Sequence, residues 1–250
     1  MNINIANTCE FVQGEKYDYD CLKEHHYVIG DPVCVRQIWK VRGIGNYRNA
    51  LPDPIGVIVY SVPIGEWAAR NVALGRFFDQ YPTKSKRQSA INAYITYIAR
   101  IIIDPRFHRQ GIGSFLLRES LQLQTHALVE TMTPIDKYSP MFVRQGFRLH
   151  FQQTPPIYTE MRFAFERAGI PEKIWHIPEI VQERIDHLSK YHAETFNRIS
   201  KKFLQRFHHH EDEKSGITRT RYILSKIYYP NAYLLYLNPN YHGDEFVQDD

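Results

Sequence analysis

One junction near the middle of the chain limits its folding choices more than any other feature. The run YITYIARIII (94–103) reads as a strand and leads directly into DPRFHRQGIGSFLLRESL (104–121). Pro105, Gly111 and Gly113 end the strand in a basic turn. Ile112, Phe115, Leu116, Leu117, Leu121 and Leu123 then give a broad apolar face over roughly 112–125, the period of a helix packed on a sheet. A strand, a glycine turn and a helix start bring several backbone N–H groups to one point. Such a point is suited to an anion, and glycine lets the chain take positive φ and approach a ligand closely. Arg106, His108 and Arg109 add charge at the same place. The ligand class this predicts is a phosphate or pyrophosphate.

Two common phosphate motifs do not fit. A dinucleotide fingerprint needs a third glycine where this chain has Leu116, and a P-loop needs a Lys-Ser/Thr pair that is absent here. Charge placement supports an anionic ligand nonetheless. The net charge is only +4, but residues 82–118 carry Lys84, Lys86, Arg87, Arg100, Arg106, Arg109 and Arg118 against Asp104 alone. A phosphate ligand, a nucleic acid or a solvated basic face would each account for that excess.

With 250 residues, 43% of them apolar and 14% aromatic, the chain is long enough for one large domain or a domain with a substantial extension. No apolar run approaches the roughly 18 residues of a membrane helix, and MNINIANTCE lacks the pattern of a signal peptide. Cys9, Cys21 and Cys34 are odd in number and have no metal-ligand spacing, so a reduced, cytoplasmic setting is expected.

Periodicity and breakers predict a first short strand at 2–6, a helix at 17–27 and strands at 33–41 and 55–63. A long basic connection over 65–92 precedes strand 94–103. After the glycine helix come a strand at 127–133, a short helix at 139–147 closed by Gly146, and a strand at 147–151. Residues 160–210 read as mostly helical, and 219–239 as aromatic, with a strand-like second half. There is no internal repeat.

IARIIIDPRFHRQGIGSFLL resembles the acetyl-CoA motif of the GNAT superfamily of N-acyltransferases, and ETMTPIDKYSPMFVRQGFR resembles the strand, short helix and Gly-Phe strand that follow it there. The resemblance implies an α/β (α+β) fold. A mixed, twisted sheet flanked by helices would occupy 1–158, with 65–92 as a basic insertion and 159–250 as a helical, then strand-like, C-terminal extension. It also implies acetyl-CoA or another acyl-CoA as cofactor. The pantetheine arm would lie in a splay between strands 94–103 and 127–133, against Ile101, Ile102 and Ile103. The pyrophosphate would lie on Arg106, His108, Arg109, Gln110, Gly111, Ile112, Gly113 and Ser114. His108 stands where the superfamily usually has Arg or Gln.

Transfer of an acyl group to an amine needs a deprotonated amine, a polarised carbonyl and a proton for the departing thiolate. Many members of the superfamily use a tyrosine on the short helix before Gly-Phe as the proton donor. Here those positions are Met141 and Phe142, and Tyr138 is the nearest candidate. Arg100, mid-strand, needs a carboxylate or a substrate as partner, and Glu130 is the obvious carboxylate. Glu130 is alternatively a general base. His25, His26 and Tyr27 end the first helix, which in the superfamily often borders the acceptor pocket. His25 and His26 are candidate bases, or plain helix-terminal residues. His208, His209 and His210 read as a solvated loop, and no metal is expected.

Lys201, Lys202, Arg206, Arg219, Arg221, Tyr222, Tyr228 and Tyr229 mix cations with rings, the recipe for holding DNA or RNA. The partner surfaces this suggests are 65–92 and 200–236. A softer resemblance, carried by His25-His26-Tyr27, GVIVYSVP, ARIIIDP and VETM, is to the branch related to phage Mom proteins and ABC-ATPase-associated acetyltransferases. Mom proteins act on the exocyclic amine of adenine in DNA, which would imply a nucleobase amine as acceptor. The alternatives are an ordinary acetyl-CoA-dependent N-acetyltransferase of a small amine or protein, and a non-catalytic module binding CoA or nucleic acid. The tyrosine-rich C-terminus could instead be buried in a homodimer.

Overall fold

The protein's computed structural model describes residues 5–26, 30–63, 65, 67–133, 140–151, 154–207, 215–227 and 232–242. The chain divides into two compact units, one comprising 1–152 with 232–250 and the other 153–231.

The first unit is built on a seven-stranded sheet. Its strands are β1 (Cys9–Gln13), β2 (Val35–Gly43), β3 (Gly56–Ser61), β4 (Ile95–Ile103), β5 (Leu128–Thr133), β6 (Arg148–Phe151) and β7 (Ala232–Leu237), in the spatial order β1-β2-β3-β4-β5-β7-β6. Every neighbouring pair is antiparallel except β4 with β5. The central strand β3, sequence GVIVYS, shows no polar alternation because both faces are covered, and all six residues are buried. Ile58 and Tyr60 pack with Leu116 and Leu117 of helix α4 (Ile112–Gln122). Val57 and Val59 point the other way, to Tyr19 and Leu22 of helix α1 (Lys16–Leu22). Buried Tyr60 still needs a partner for its hydroxyl, and it finds Ser120 of α4 at 2.7 Å.

The connection between β3 and β4 folds into helices α2 (Ala68–Ala73) and α3 (Lys84–Tyr94). Ala69, Leu74, Phe78, Ala90 and Ile91 from this connection bury against Leu128 of β5 and Tyr233 and Leu235 of β7. Thr83 caps α3 by accepting the Lys86 N–H at 3.2 Å.

The second unit is helical. Its helices are α5 (Pro156–Arg167), α6 (Pro178–Asp186), α7 (Lys190–Gln205) and α8 (Gly216–Lys226). α5 packs on α7, and α6 on α8. Phe165, Trp175, Phe196 and Phe203 dominate the core.

The mixed sheet flanked by helices follows the expectation. Three details differ. Ile5 and Ala6 belong to a helical turn, so the first strand is Cys9–Gln13 rather than 2–6. Leu123 lies just past α4 and is exposed, so it does not extend the buried face. The segment after 158 is not a simple C-terminal extension. Residues 153–231 are an insertion, and the chain returns to place β7 between β5 and β6. Ala232, Tyr233, Leu234 and Leu235 are buried. Only an interior strand satisfies so apolar a run while both of its edges are hydrogen-bonded.

Candidate functional site

β4 and β5 start as partners and then separate. They are paired at Ile95 with Leu128, Thr96 with Val129 and Tyr97 with Glu130, where the ladder ends. β5 stays with β7 as far as Thr133 opposite Ala232, and β4 stays with β3 as far as Ile103 opposite Gly56. Just past the last rung, the Thr131 hydroxyl donates to the Ile98 carbonyl at 3.0 Å. Ala99 is then an extra residue against β3, because Tyr60 faces Ile98 while Val59 faces Arg100. Such a bulge bends its strand and re-aims side chains. Beyond it a cleft of about 680 Å³ opens, lined by Ile98 to Ile103 on one side and Thr131 to Thr133 on the other. Met141 and Phe142 also line it. Along this cleft the backbone polar groups of β4 that would face β5 have no strand partner, a condition that buried backbone tolerates only when something else satisfies it.

The turn after β4 closes one end of the cleft. Asp104 caps a 3₁₀ turn, Pro105–Phe107, by accepting the Arg106 N–H at 3.0 Å. Arg109 and Gly111 are left-handed, with φ of 63° and 82°, and Gly111 is the N-cap of α4. The first bond of α4 runs from the Phe115 N–H to the Gly111 carbonyl at 2.9 Å. The N–H groups of Ile112, Gly113 and Ser114 therefore have no acceptor within the helix. At Gly113 space rather than φ limits a side chain. A Cβ there would lie 3.1 Å from Met141 Sδ, at the cleft wall. The His108 ring donates from Nε2 to the Ile103 carbonyl at 3.0 Å and so stays on the end of β4.

Of the residues expected at this turn, Ile101, Ile102, Ile103, His108, Arg109, Gly111, Ile112, Gly113 and Ser114 all line the cleft. Arg106 and Gln110 do not. The Arg106 guanidinium is folded onto Asp104, with Nη2 2.6 Å from Oδ2. That contact, first among the causes, holds the Asp104 carboxyl below the usual carboxylate range. The Gln110 amide donates to the Arg106 carbonyl at 3.4 Å. Arg109 thus remains as the cation at the turn, exposed and with no ion pair among the described residues.

His25 and His26 line the other side of the cleft, together with Arg100. The Arg100 guanidinium donates to the carbonyls of Ala99 at 2.7 Å and Gly30 at 3.0 Å. Tyr27 and Tyr138 fall outside the described residues, as do His208, His209 and His210. Among the described residues no group of His, Cys, Asp or Glu is arranged to hold a metal.

Glu130 does not meet Arg100. It is fully buried and receives two bonds from Arg70 of α2, Nε to Oε2 at 2.8 Å and Nη2 to Oε1 at 2.6 Å. The Tyr233 hydroxyl adds a third bond at 2.8 Å. Burial first, and the Glu130 carboxylate second, push the Tyr233 phenol well above its ordinary range. Glu130 is absent from the cleft wall, so a general-base role has no geometric support. Arg100 lies opposite Val59 of β3 and lines the cleft, while the Glu130 carboxylate is already taken by Arg70 of α2. Arg70 lies in the stretch AARNVA, and little in the local sequence beyond its apolar neighbours distinguishes it from a surface arginine.

The surface expected for nucleic acid is largely used within its own unit. Lys202 pairs with Glu160 and Arg221 with Glu179. Arg219 donates to Asn197, and Arg206 lies over the Tyr158 ring. Tyr222 packs against Phe207. Tyr228 and Tyr229 are outside the described residues. In the first unit Arg87 faces Asp79 and Arg118 pairs with Glu119, while Lys84 and Lys86 stay exposed without an ion pair among the described residues. The second unit instead has a groove of about 350 Å³ between α5 and α7, with Phe163 55% and Tyr191 74% exposed beside Arg167.

No protein-family model matches the chain, and no curated protein is similar to it. Among solved structures, the crystal structure of the ribosomal-protein-S18-alanine N-acetyltransferase from Escherichia coli is similar over 59% of this chain and 84% of that chain, with 11% identity and a TM-score of 0.36. A likeness that weak says nothing about activity or substrate. No helix among the described residues is long and apolar enough to cross a membrane.

Proposed function

We propose that the first unit binds an acyl-CoA in the β4–β5 cleft and transfers the acyl group to an amine. The observation that carries this reading is the coincidence of two features at one place. A parallel strand pair opens to leave main-chain groups without a strand partner among the described residues, and the cleft so formed ends on the three N–H groups at the start of α4. A pantetheine arm carries amides that can complete an open strand edge, and a pyrophosphate suits a helix start beside Arg109. Gly113 keeps the wall between turn and cleft free of a side chain. When bound, acyl-CoA supplies a thioester. Its C–S bond breaks as the C–N bond forms, and the departing thiolate takes up the proton lost by the amine. His25 and His26 are the titratable groups on the cleft suited to accept that proton first. Met141 and Phe142, at the short helix, can only exclude water. Titration of acetyl-CoA into the wild-type protein tests the reading. Saturable binding is expected, weakened in Gly111→Asp, and its absence would overturn the assignment.

The acceptor is an amine. The narrower reading is the exocyclic amine of a nucleic-acid base, supported by the resemblance to Mom-like proteins and by the exposed rings of Phe163 and Tyr191 beside Arg167. Rings next to a cation form a stacking platform for bases. Under this reading short DNA or RNA binds with affinity that falls steeply with salt, and Phe163→Ala/Tyr191→Ala weakens it. A salt-independent lack of binding would return the acceptor to a small amine or a protein N-terminus.

A further inference from the structure

We propose that the buried Arg70–Glu130 pair, together with Tyr233, sets the point at which β4 and β5 separate and thereby holds the cleft open. Arg70 is on this view a positioning residue for the acyl-CoA site. The inference rests on the reading of the cleft given above.

An open strand edge does not stay open by itself. Residues 98–103 and 131–133 both carry backbone donors and acceptors along the cleft, and a parallel ladder continued past Tyr97 and Glu130 would satisfy them at the expense of the cleft. Something must favour separation, and Glu130 occupies the last rung. Its carboxylate is gripped by Arg70 in a bidentate fork and by the Tyr233 hydroxyl from β7. Arg70 is itself fixed, through Nη1 to the Gly65 carbonyl at 2.6 Å and by the Trp67 ring, whose centroid is 5.2 Å from the guanidinium carbon. Trp67 in turn meets Tyr97 of β4 and Tyr233 of β7 edge-on, at 5.3 and 6.1 Å. The clamp therefore ties β5 to β7 and to the α2 segment at the very residue where β5 leaves β4. Thr131, one residue on, still reaches Ile98, which shows how close the strands remain at the fork.

A buried ion pair can often be replaced by apolar residues without loss of fold, whereas removing one partner strands a charge. The informative variant is therefore Arg70→Met/Glu130→Leu/Tyr233→Phe. It should fold cooperatively and bind acetyl-CoA at least about tenfold more weakly than wild type. Without ligand, its amides over 98–103 and 131–133 should exchange more slowly, because the ladder has extended. Wild-type affinity together with wild-type exchange in the folded variant would overturn the proposal. If the triple variant does not fold, Arg70→Lys decides. It keeps the charge and loses the fork, and a few-fold weaker affinity is expected where wild-type affinity would overturn the inference. A wild-type protein that binds no acetyl-CoA would sink the functional reading alone, since the exchange comparison still reports on the clamp.

Discussion

The two halves of the β4–β5 seam share the same strands and differ in what satisfies their backbone. In the lower half the protein does everything itself. The three-rung ladder is flanked by Arg36, which donates to the carbonyls of Ile95 and Asn92 at 2.8 and 2.7 Å. Asn238 donates to the carbonyls of Gln124 and His126 on the approach to β5. In the upper half a side-chain bond, Thr131 to Ile98, crosses the gap before the cleft opens. A sheet whose every edge is satisfied has nothing to offer a ligand. The proposed acyl-CoA site lies where the ladder stops, beside the buried Arg70–Glu130 pair.

The largest effect should come from breaking the boundary between the halves. Arg70→Ala leaves the Glu130 carboxylate buried and unpaired, and should cost about 3–5 kcal/mol of stability. The control is Arg106→Ala. That pair with Asp104 has its arginine 67% exposed, and its loss should move the midpoint little, because solvent screens such a pair. Denaturant midpoints of the two variants measure the contrast. Equal midpoints would mean that the buried pair is not what joins the two halves.

The next effect belongs to the upper half alone. Gly111→Asp forces a side chain into φ of 82° and sets a carboxylate beside the proposed pyrophosphate. A like charge about 4 Å away costs roughly 1–4 kcal/mol at intermediate to high dielectric, so acetyl-CoA affinity should fall at least about fivefold. Gly113→Ala should do less. Its Cβ meets only the flexible end of Met141, and the thioether can give way. If both variants bind alike, the turn does not hold the phosphates.

The upper half was also the legible half. Strand, glycine turn and amphipathic helix are local patterns, and they located β4 to within one residue, α4 to within three, and most of the cleft wall from Ile101 to Ser114, Arg106 and Gln110 excepted. What escaped was non-local. The sequence can match Arg100 with Glu130 only as opposite charges on neighbouring strands, and it does not show that Arg70 takes the carboxylate. Arg70 lies 60 positions from Glu130 in sequence, and the only hint of a buried arginine is the apolar company of Trp67 and Ala69. The return of 232–237 to the sheet was read as a strand but not as an interior one, because a strand's neighbours are not written in its sequence. The aromatic, basic composition of 200–236 is ambiguous for a related reason. Rings suited to stacking on bases are equally suited to a helical core.

A smaller effect sharpens the seam itself. Thr131→Val removes the hydroxyl that reaches Ile98 across the fork while keeping the shape of the side chain. The net worth of such a bond is about 1 kcal/mol, and stability should drop by that order. Acetyl-CoA affinity should change less than in the Arg70 variants, because the clamp is intact. A larger loss of affinity than of stability would shift the positioning role from Arg70 to Thr131.

The last effect, confined to the lower half and absent at neutral pH, is a pH dependence. His126 Nε2 accepts from Arg36 Nη1 at 2.7 Å, which places its proton on Nδ1, a buried atom with no partner. Burial first, and the Arg36 charge second, lower its pKa to about 4 from the ordinary 6.5. The folded protein therefore resists protonation that the unfolded chain accepts. The stability this group contributes is complete above about pH 6.5 and is lost as pH falls toward 4. His126→Gln, which can still accept from Arg36, should flatten the dependence of unfolding on pH in that window and leave acetyl-CoA binding at pH 7.5 unchanged. An unaltered slope would assign the acid sensitivity elsewhere. A loss of binding at pH 7.5 would mean that the closed and open halves of the seam are coupled more tightly than a clamp at Glu130 allows.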